Sequence, residues 1–193
     1  MEQSTIYNMN SDSTSKTDET YNGVPFFRKY GPPLTKNHAY SNKVERTIVK
    51  ILMEHPHPNI VTYYDTTDDY ITMEQLYTEK AASCYIGLEP TSYDELIEIQ
   101  EVMEKVKIYL QGLGIMYVDW KFDNIAKAVD GSYKLFDFDA SGLVDLNSQQ
   151  WILEPVHYWS YNEAFKNGCI TPQEIDDWAF NYNIIQDGFK LVD

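Results

Sequence analysis

The chain has 193 residues, a formal net charge of −15 and a hydrophobic content of 43%. This length suits one domain or two small lobes, and the apolar content is ordinary for a globular protein. A run of about eighteen apolar residues is missing, which argues against a membrane span. The acidic balance argues against a nucleic-acid surface, which needs clustered Lys and Arg, and it is compatible with basic protein partners or with solubility alone.

The first 22 residues are predicted to form a mobile N-terminal tail, because Ser, Thr, Asp and Asn dominate them. They have neither the basic start nor the apolar centre of a signal peptide. Cys84 and Cys169 make neither a disulfide framework nor a metal-ligand spacing. We therefore expect a reducing, intracellular setting, cytoplasmic or nuclear.

The first half of the chain predicts three strands and one helix. The first strand is Val24–Tyr30, which Gly31-Pro32-Pro33 ends. A helix is predicted from Asn42, which forms a capping pair with Glu45. Two strands follow at 60–64 and 70–76, joined by the turn-prone residues 66–69.

The second half predicts two helices and a hairpin. A long helix starts at the Ser92/Glu95 capping box and ends at Gly112 and Gly114. Segments 125–129 and 133–136 flank Asp130-Gly131, a dipeptide suited to a tight hairpin turn. A last helix begins at Thr171-Pro172. Strands come first and helices dominate later, which predicts an α+β fold.

The open end of this hairpin gathers polar side chains. Asn124 precedes its first strand and Asp137 follows its second, so the two residues should be neighbours, with Asp119 five residues upstream of Asn124. Carboxylate and amide oxygens suit Mg²⁺, and Lys121 would place a positive charge beside a transferring phosphoryl group. Alternatively, acidic residues in such a segment are solvated residues of turns, and we interpret Asp130 in this way.

These residues carry a resemblance to a known family. Asp119, Lys121 and Asn124 resemble the D-x-K-x-x-N catalytic loop of eukaryotic-type protein kinases, and Asp137-Phe138-Asp139 resembles the D-F-G that follows it. The resemblance implies that Asp119 and Lys121 are catalytic. It also implies that Asn124 and Asp137 bind Mg²⁺ and contribute to ATP binding.

Residues 57–76 are similar to the kinase passage that leads into the hinge. On this match Met73 is the gatekeeper, and Glu74 and Leu76 supply backbone groups for adenine. Glu45 is placed as the ion-pair glutamate and Lys29 as the phosphate-contacting lysine. Lys36 is the alternative to Lys29 as the phosphate-contacting lysine. The third possibility is that the residue is a solvated surface lysine with no contact to phosphate.

Further along the chain, Asp176-Asp177-Trp178 resembles the D-x-W that opens the central helix of the kinase C-lobe. The chain also departs from the family pattern. Tyr117-Val118 stands where the family has His-Arg, Asp139 stands where it has glycine, and no glycine-rich loop precedes Lys29. Only 39 residues separate Asp137 from Asp176, with no A-P-E between them.

The resemblance therefore implies a trimmed, two-lobed kinase-like fold. We expect a tail at 1–22, a small β-rich N-lobe at 23–76, and a helical C-lobe at 77–193 that ends near the central helix. Such economy is typical of compact genomes such as those of viruses. A second copy of the chain or a host protein is expected to complete the fold.

Three functions remain open from the sequence. The first is a Ser/Thr-directed protein kinase that uses Mg-ATP on a protein substrate, which the acidity of the chain suggests is basic. The second is a catalytically weak or inactive kinase-like binding module, favoured by the missing glycine loop. The third is a small-molecule phosphotransferase of the aminoglycoside or choline kinase type. Its D-x-D pattern matches Asp137 and Asp139, but Lys121 argues against it.

Overall fold

The architecture is known from a computed structural model that describes residues 20–21, 24–30, 36–76, 88 and 90–191. Of the predicted tail, Thr20 and Tyr21 form a short strand, and the other residues lie outside the described ranges. The side chain of Lys36 also lies outside them. None of the helices in the described part of the chain is both long enough and apolar enough to cross a membrane.

The first half forms an antiparallel four-stranded sheet. Its strands are β1 (Thr20–Tyr21), β2 (Val24–Tyr30), β3 (Tyr63–Thr66) and β4 (Tyr70–Glu74), in the order β1-β2-β4-β3. Strand β2 has the predicted bounds, and β4 ends two residues before the predicted end at Leu76.

Strand β3 starts three residues later than predicted, at Tyr63. The residues before it pair with a different strand. Ile60 forms an isolated parallel bridge with Leu135, and Val61 N donates to Leu135 O over 2.9 Å. The backbone of Ile60 and Val61 therefore pairs with Leu135, which is distant in sequence. The local β pattern could not reveal this pairing.

Helix α1 (Lys36–Glu54) begins six residues before the predicted cap at Asn42, so that prediction was wrong. Asn42 lies inside the helix and is buried. Ser41, Glu45, Ile48 and Leu52 follow each other at helical spacing and are all buried, so the inward face of α1 includes a residue that precedes the supposed cap. Packing against the sheet overrides the local capping signal.

Helix α2 (Tyr93–Gly112) begins where the capping box predicted, and Ser92 Oγ accepts from Glu95 N over 3.2 Å. The Glu95 carboxylate bonds Thr91 N at 2.8 Å, one residue before the expected partner. Gly114, just beyond the helix, has a φ of 75°, and a Cβ there would lie 2.7 Å from Val144 O. Glycine is required at this turn.

Five short strands follow α2. Strands β5 (Ile115–Met116), β8 (Gly142–Val144) and β9 (Trp151–Leu153) form one antiparallel sheet, and β6 (Ile125–Lys127) and β7 (Tyr133–Leu135) form the predicted hairpin. Its strands are shorter than predicted and its turn is longer. Ala128 N donates to Ser132 O over 2.9 Å, so residues 128–132 make the connection.

Helices α3 (Trp159–Lys166) and α4 (Pro172–Phe180) complete the main elements. Thr171 and Glu174 form the complete capping box that the sequence predicted, with Pro172 in the first turn. Helix α4 continues as a π-helical segment, Asn181–Gln186, and a 3-10 helix follows at Gly188–Leu191.

A buried apolar cluster runs through most of the molecule. It includes Phe27 and Met73 of the sheet, Ile48 of α1, Met103 of α2 and Phe180 of α4. The mixed α+β class is confirmed. The two-lobed arrangement and the boundaries of the predicted lobes stay predictions.

Candidate active site

Two carboxylates from distant elements meet at Lys29. Its ammonium lies 2.8 Å from Glu45 Oε1 on α1 and 2.6 Å from Asp137 Oδ1, two residues after β7. The side chains of Lys29 and Glu45 are 7% and 2% exposed, whereas that of Asp137 is 27% exposed. The structure thus brings together three residues assigned from sequence to nucleotide binding, and Asp137 is the one open to solvent.

The charges of this trio depend on each other. Burial alone would lower the pKa of Lys29, but the carboxylates of Asp137 and Glu45 outweigh it and hold that pKa well above its usual value. Burial would likewise raise the pKa of Asp137, but the Lys29 ammonium lowers it below its usual value. Lys29 is therefore a fixed positive charge and Asp137 a fixed negative one.

A second group forms on the loop before the hairpin. Lys121 Nζ lies 2.7 Å from Asp119 Oδ2, and Asn124 Nδ2 donates to the same oxygen over 3.0 Å. Asn124 also donates to the backbone oxygen of Asp119 over 3.0 Å. Oδ1 of Asp119 makes no hydrogen bond with the described residues, so one oxygen is oriented by two donors and the other is left for a further partner.

Burial raises the pKa of Asp119, and the nearby Lys121 ammonium limits that rise. The side chain of Asp119 is 17% exposed, compared with 44% for Lys121. A carboxylate that is partly desolvated, yet held by a cation, is a stronger proton acceptor than one in bulk water. Asp119 is therefore a largely buried carboxylate whose pKa lies above its usual value.

Asp139 adds a further carboxylate. Burial, followed by the negative charge of Asp137, raises its pKa to about 7. Its backbone oxygen accepts from Ser41 Oγ on α1 over 2.6 Å. The site thus combines two lysines with four carboxylates, a formal charge of −2 when all are ionised: Lys29, Lys121, Glu45, Asp119, Asp137 and Asp139.

The described part of the chain contains no group of three or more His, Cys, Asp or Glu side chains arranged to hold a metal ion. Mg²⁺ commonly takes only one or two protein carboxylates and completes its shell with phosphate and water oxygens. Asn124 and Asp137 supply an amide and a carboxylate at adjoining ends of the hairpin, where Phe136 N donates to Asn124 O over 3.0 Å. This pair of oxygen ligands fits a magnesium ion that arrives with a nucleotide.

Asp176 positions the loop that carries Asp119. This fully buried carboxylate accepts from Val118 N and Trp120 Nε1, both over 2.8 Å, and from Gln111 Nε2 over 2.9 Å. Val118 has a φ of 62°, an unfavourable conformation for a β-branched residue. The hydrogen bonds that Asp176 accepts from both neighbours of Asp119 therefore hold a strained backbone in place.

Sequence reasoning missed two further residues. Ser41 links α1 to Asp139, and Tyr117 donates from its hydroxyl to Phe136 O over 2.6 Å. Ser41 lies four residues before Glu45, so helical spacing could have indicated it. Tyr117 could not have been found this way, because its partner is on another element.

The residues assigned to adenine binding lie at the end of β4. Met73 is buried and pairs with Phe27 of β2. Glu74 turns its carboxylate to Lys134, 2.6 Å away, and to Thr62 N, 2.8 Å away. Leu76 packs against the main core. The side chains of Glu74 and Leu76 are thus engaged within the protein, and Glu74 N donates to Thr62 O over 2.8 Å, so contact with a base would have to use the Glu74 carbonyl or the backbone of Leu76.

Comparisons with known proteins give a distant relationship. No known family model matches the chain. It is similar to the serine/threonine-protein kinase PAK mbt of Drosophila melanogaster, with 28% identity over 142 residues, which are 72% of this chain and 22% of that protein. It is also similar to the serine/threonine-protein kinase CST20 of Candida albicans (strain WO-1), with 25% identity over 135 residues, 67% of this chain and 11% of that protein.

The chain thus corresponds to about a fifth or less of the length of these relatives. The similarity covers about 70% of the chain and agrees with the resemblance seen in the motifs. At a coarse level it supports a kinase-like enzyme. Neither a substrate nor a nucleotide follows from it directly.

Proposed function

We propose that the protein is an ATP-dependent phosphotransferase that acts on Ser or Thr hydroxyls of proteins. One observation carries this proposal. Lys29 contacts Glu45 and Asp137, which are far from it in sequence, while Lys121 and Asn124 contact Asp119 within one loop, so each group combines a lysine with a carboxylate. Distant similarity to serine/threonine-protein kinases supports the same reaction.

In this proposal Asp119 receives the substrate. Its free oxygen, Oδ1, would accept the hydroxyl hydrogen bond and orient the attacking oxygen towards the γ-phosphate. Lys121, more exposed than Asp119, would contact the γ-phosphate and balance the charge that develops during transfer. Asn124 would keep Asp119 fixed through its two hydrogen bonds.

The other group would bind the nucleotide. Lys29, oriented by Glu45, would contact the α- and β-phosphates, and Asn124 and Asp137 would hold Mg²⁺. Bound magnesium would supply positive charge to the phosphate oxygens and so ease phosphoryl transfer. Backbone groups at Glu74 and Leu76 would bind adenine beside the buried side chain of Met73.

Mg-ATP binding by calorimetry, with Asp137→Asn as the variant, tests the nucleotide site. Asparagine keeps the size of the side chain but removes the charge that Lys29 and the metal share. We expect the affinity for Mg-ATP to fall at least tenfold while circular dichroism stays unchanged. Equal Mg-ATP affinity of the variant and the wild type would contradict the metal assignment.

A kinase-like binding module is the second candidate, and one observation favours it. The Lys29 ammonium already lies 2.6 Å from Asp137, so the two groups that should meet phosphate and metal neutralise each other. A module of this kind would transfer no phosphate to any acceptor in the presence of Mg-ATP. Measurable transfer by the wild type would exclude it.

A further inference from the structure

A cavity lies between the start of α1 and the segment after β9. Its volume is about 380 Å³, and its lining includes Tyr40, Glu154, Pro155, Val156 and His157. Tyr40 closes one side by donating from its hydroxyl to Glu154 O over 2.9 Å. This volume is at the low end of the range for small-ligand sites, about 300–1,000 Å³, so the cavity suits one side chain or a small group.

Glu154 supplies the cavity with an oriented negative charge. Its Oε1 accepts from Tyr161 Oη over 2.6 Å and lies 2.9 Å from His157 Nε2. The ring of His157 stacks on that of Tyr161, with centroids 4.1 Å apart, which fixes both partners. The hydrogen bond from Tyr161 lowers the pKa of Glu154, which keeps the carboxylate ionised at neutral pH.

The second oxygen of this carboxylate remains available. Oε2 of Glu154 makes no hydrogen bond with the described residues, and the side chain is 46% exposed. Neither Lys nor Arg is among the described residues that line the cavity. Among the described lining residues, the basic group beside this carboxylate is the His157 imidazole, with neither lysine nor arginine next to it, so an anionic ligand is disfavoured beside Glu154.

The cavity adjoins the candidate active site. Consecutive residues of α1 make the two connections, Tyr40 to Glu154 and Ser41 to the backbone of Asp139. The charges of the candidate site also act on Tyr158, which follows His157 in the chain. Burial raises the pKa of its hydroxyl, and the charges of Asp139 and Asp119 raise it further. The segment after β9 therefore lies close to both the cavity and the carboxylates of the candidate site.

We propose that this cavity binds a Lys or Arg side chain of the protein substrate, next to the residue that is phosphorylated. The inference rests on the proposed function, and it names the substrate class as basic polypeptides. Oε2 of Glu154 accepts from the cationic head, and the rings of Tyr40 and His157 together with Val156 cover the aliphatic stem. The overall charge of −15 attracts the same substrates over longer distances.

Binding of short peptides tests the cavity independently of catalysis. Three fluorescent octapeptides, each with one serine, would carry Arg, Ala or Glu at the flanking positions, and anisotropy would give their affinities. A partly exposed charge pair predicts that the Arg peptide binds about threefold to tenfold more tightly than the Ala peptide. Glu154→Gln should remove this preference, and Glu154→Lys should transfer it to the Glu peptide.

Glu104→Gln is the matched control, because it removes one negative charge from the exposed face of α2, outside the cavity lining. This variant should keep the full preference for Arg. Equal affinity of the wild type for the Arg and Ala peptides would overturn the proposal, as would a preference that survives both Glu154 variants. Displacement of the Arg peptide by an equimolar amount of spermidine would show a site for small cations and would also overturn it.

Phosphate transfer then separates this inference from the proposed function. Radiolabelled Mg-ATP with the same peptides should give a higher kcat/KM for the Arg peptide in the wild type and in Glu104→Gln. Selective binding without any transfer would support the cavity and contradict the enzyme. Transfer to all three peptides at one rate, with equal binding, would support the enzyme and contradict the cavity.

Discussion

Lys29 shows how one residue can organise a site. It is buried with two carboxylates around one ammonium, and its charge lowers the pKa of Asp137 and opposes the rise that burial causes in the pKa of Glu45. Burying a charge without a partner is costly, and removing one member of a buried pair costs about 3–5 kcal/mol. Stability and nucleotide binding therefore depend on the same side chain.

The first prediction separates Lys29 from its sequence-based rival. Lys29→Met should lower the free energy of unfolding by roughly 3 kcal/mol, because two carboxylates lose their cation. It should also weaken Mg-ATP binding at least tenfold. Urea denaturation and calorimetry measure the two effects. Lys36→Met is the matched variant and should leave the affinity for Mg-ATP unchanged; a loss in Lys36→Met alone would reverse the assignment.

At the scale of elements, Glu95 joins the start of α2 to the hairpin. Its carboxylate accepts from Thr91 N, from Lys127 Nζ of β6 at 2.7 Å and from Tyr133 Oη of β7 at 3.1 Å. The bond with Lys127, followed by that from Thr91, lowers the pKa of Glu95 from 4.5 to about 2. One side chain thus caps a helix and fixes the hairpin that carries Asn124 and Asp137.

This lowered pKa predicts a pH dependence. The unfolded chain takes up the proton near pH 4.5 and the folded chain only near pH 2, so the stability that Glu95 provides is present above pH 4.5 and is lost between these values. Glu95→Gln should be less stable at pH 7 and should lose less stability on acidification. Urea denaturation at pH 7, 4.5 and 3 measures this, with Glu101→Gln on the exposed face of α2 as the control. Parallel curves for Glu95→Gln and the wild type would contradict it.

Helix α4 stabilises the loop before the hairpin through the hydrogen bonds that Asp176 accepts from it. Asp176→Ala leaves three buried donors without their acceptor, so we expect the free energy of unfolding to fall by about 3–5 kcal/mol. The neighbouring Asp177 is 35% exposed and pairs with Lys107, so Asp177→Ala should cost at most about 1 kcal/mol. Chemical denaturation compares the two. Similar decreases in the free energy of unfolding for the two variants would show that Asp176 does not stabilise the loop more than its exposed neighbour does.

At the scale of the whole molecule, the order of α1, α2, α4, strands β2 to β4 and the β6–β7 hairpin could be predicted because their patterns are local in sequence. Strands β1, β5, β8 and β9 and helix α3 were not predicted. The glycine turn, the Thr171 cap and the spacing of Asp119, Lys121 and Asn124 each depend on a few neighbouring residues. The start of β3 could not be predicted in this way, because the backbone of Ile60 and Val61 pairs with Leu135. The start of α1 was wrong for a similar reason, since packing extends the helix beyond Asn42.

The candidate site shows the same division. Motif spacing placed Asp119 and Asn124 in the same loop, but it could not decide between Lys29 and Lys36. Contacts such as Ser41 to Asp139 and Tyr40 to Glu154 join residues 98 and 114 positions apart, and the sequence has no local signal for them. The expected intracellular setting and a second copy or host partner stay predictions.

The central claim, phosphate transfer by this set of residues, is tested most directly by Asp119→Asn. Asparagine has nearly the same size as aspartate and can still accept a hydrogen bond from Lys121 or Asn124, but it has no carboxylate oxygen that can take up a proton. Positioned acid–base groups contribute about 10² to 10⁴ in rate. Transfer from radiolabelled Mg-ATP to the Arg peptide should therefore fall at least a hundredfold, while the affinity for Mg-ATP stays within about twofold of the wild type. Transfer by Asp119→Asn at the wild-type rate would contradict the account.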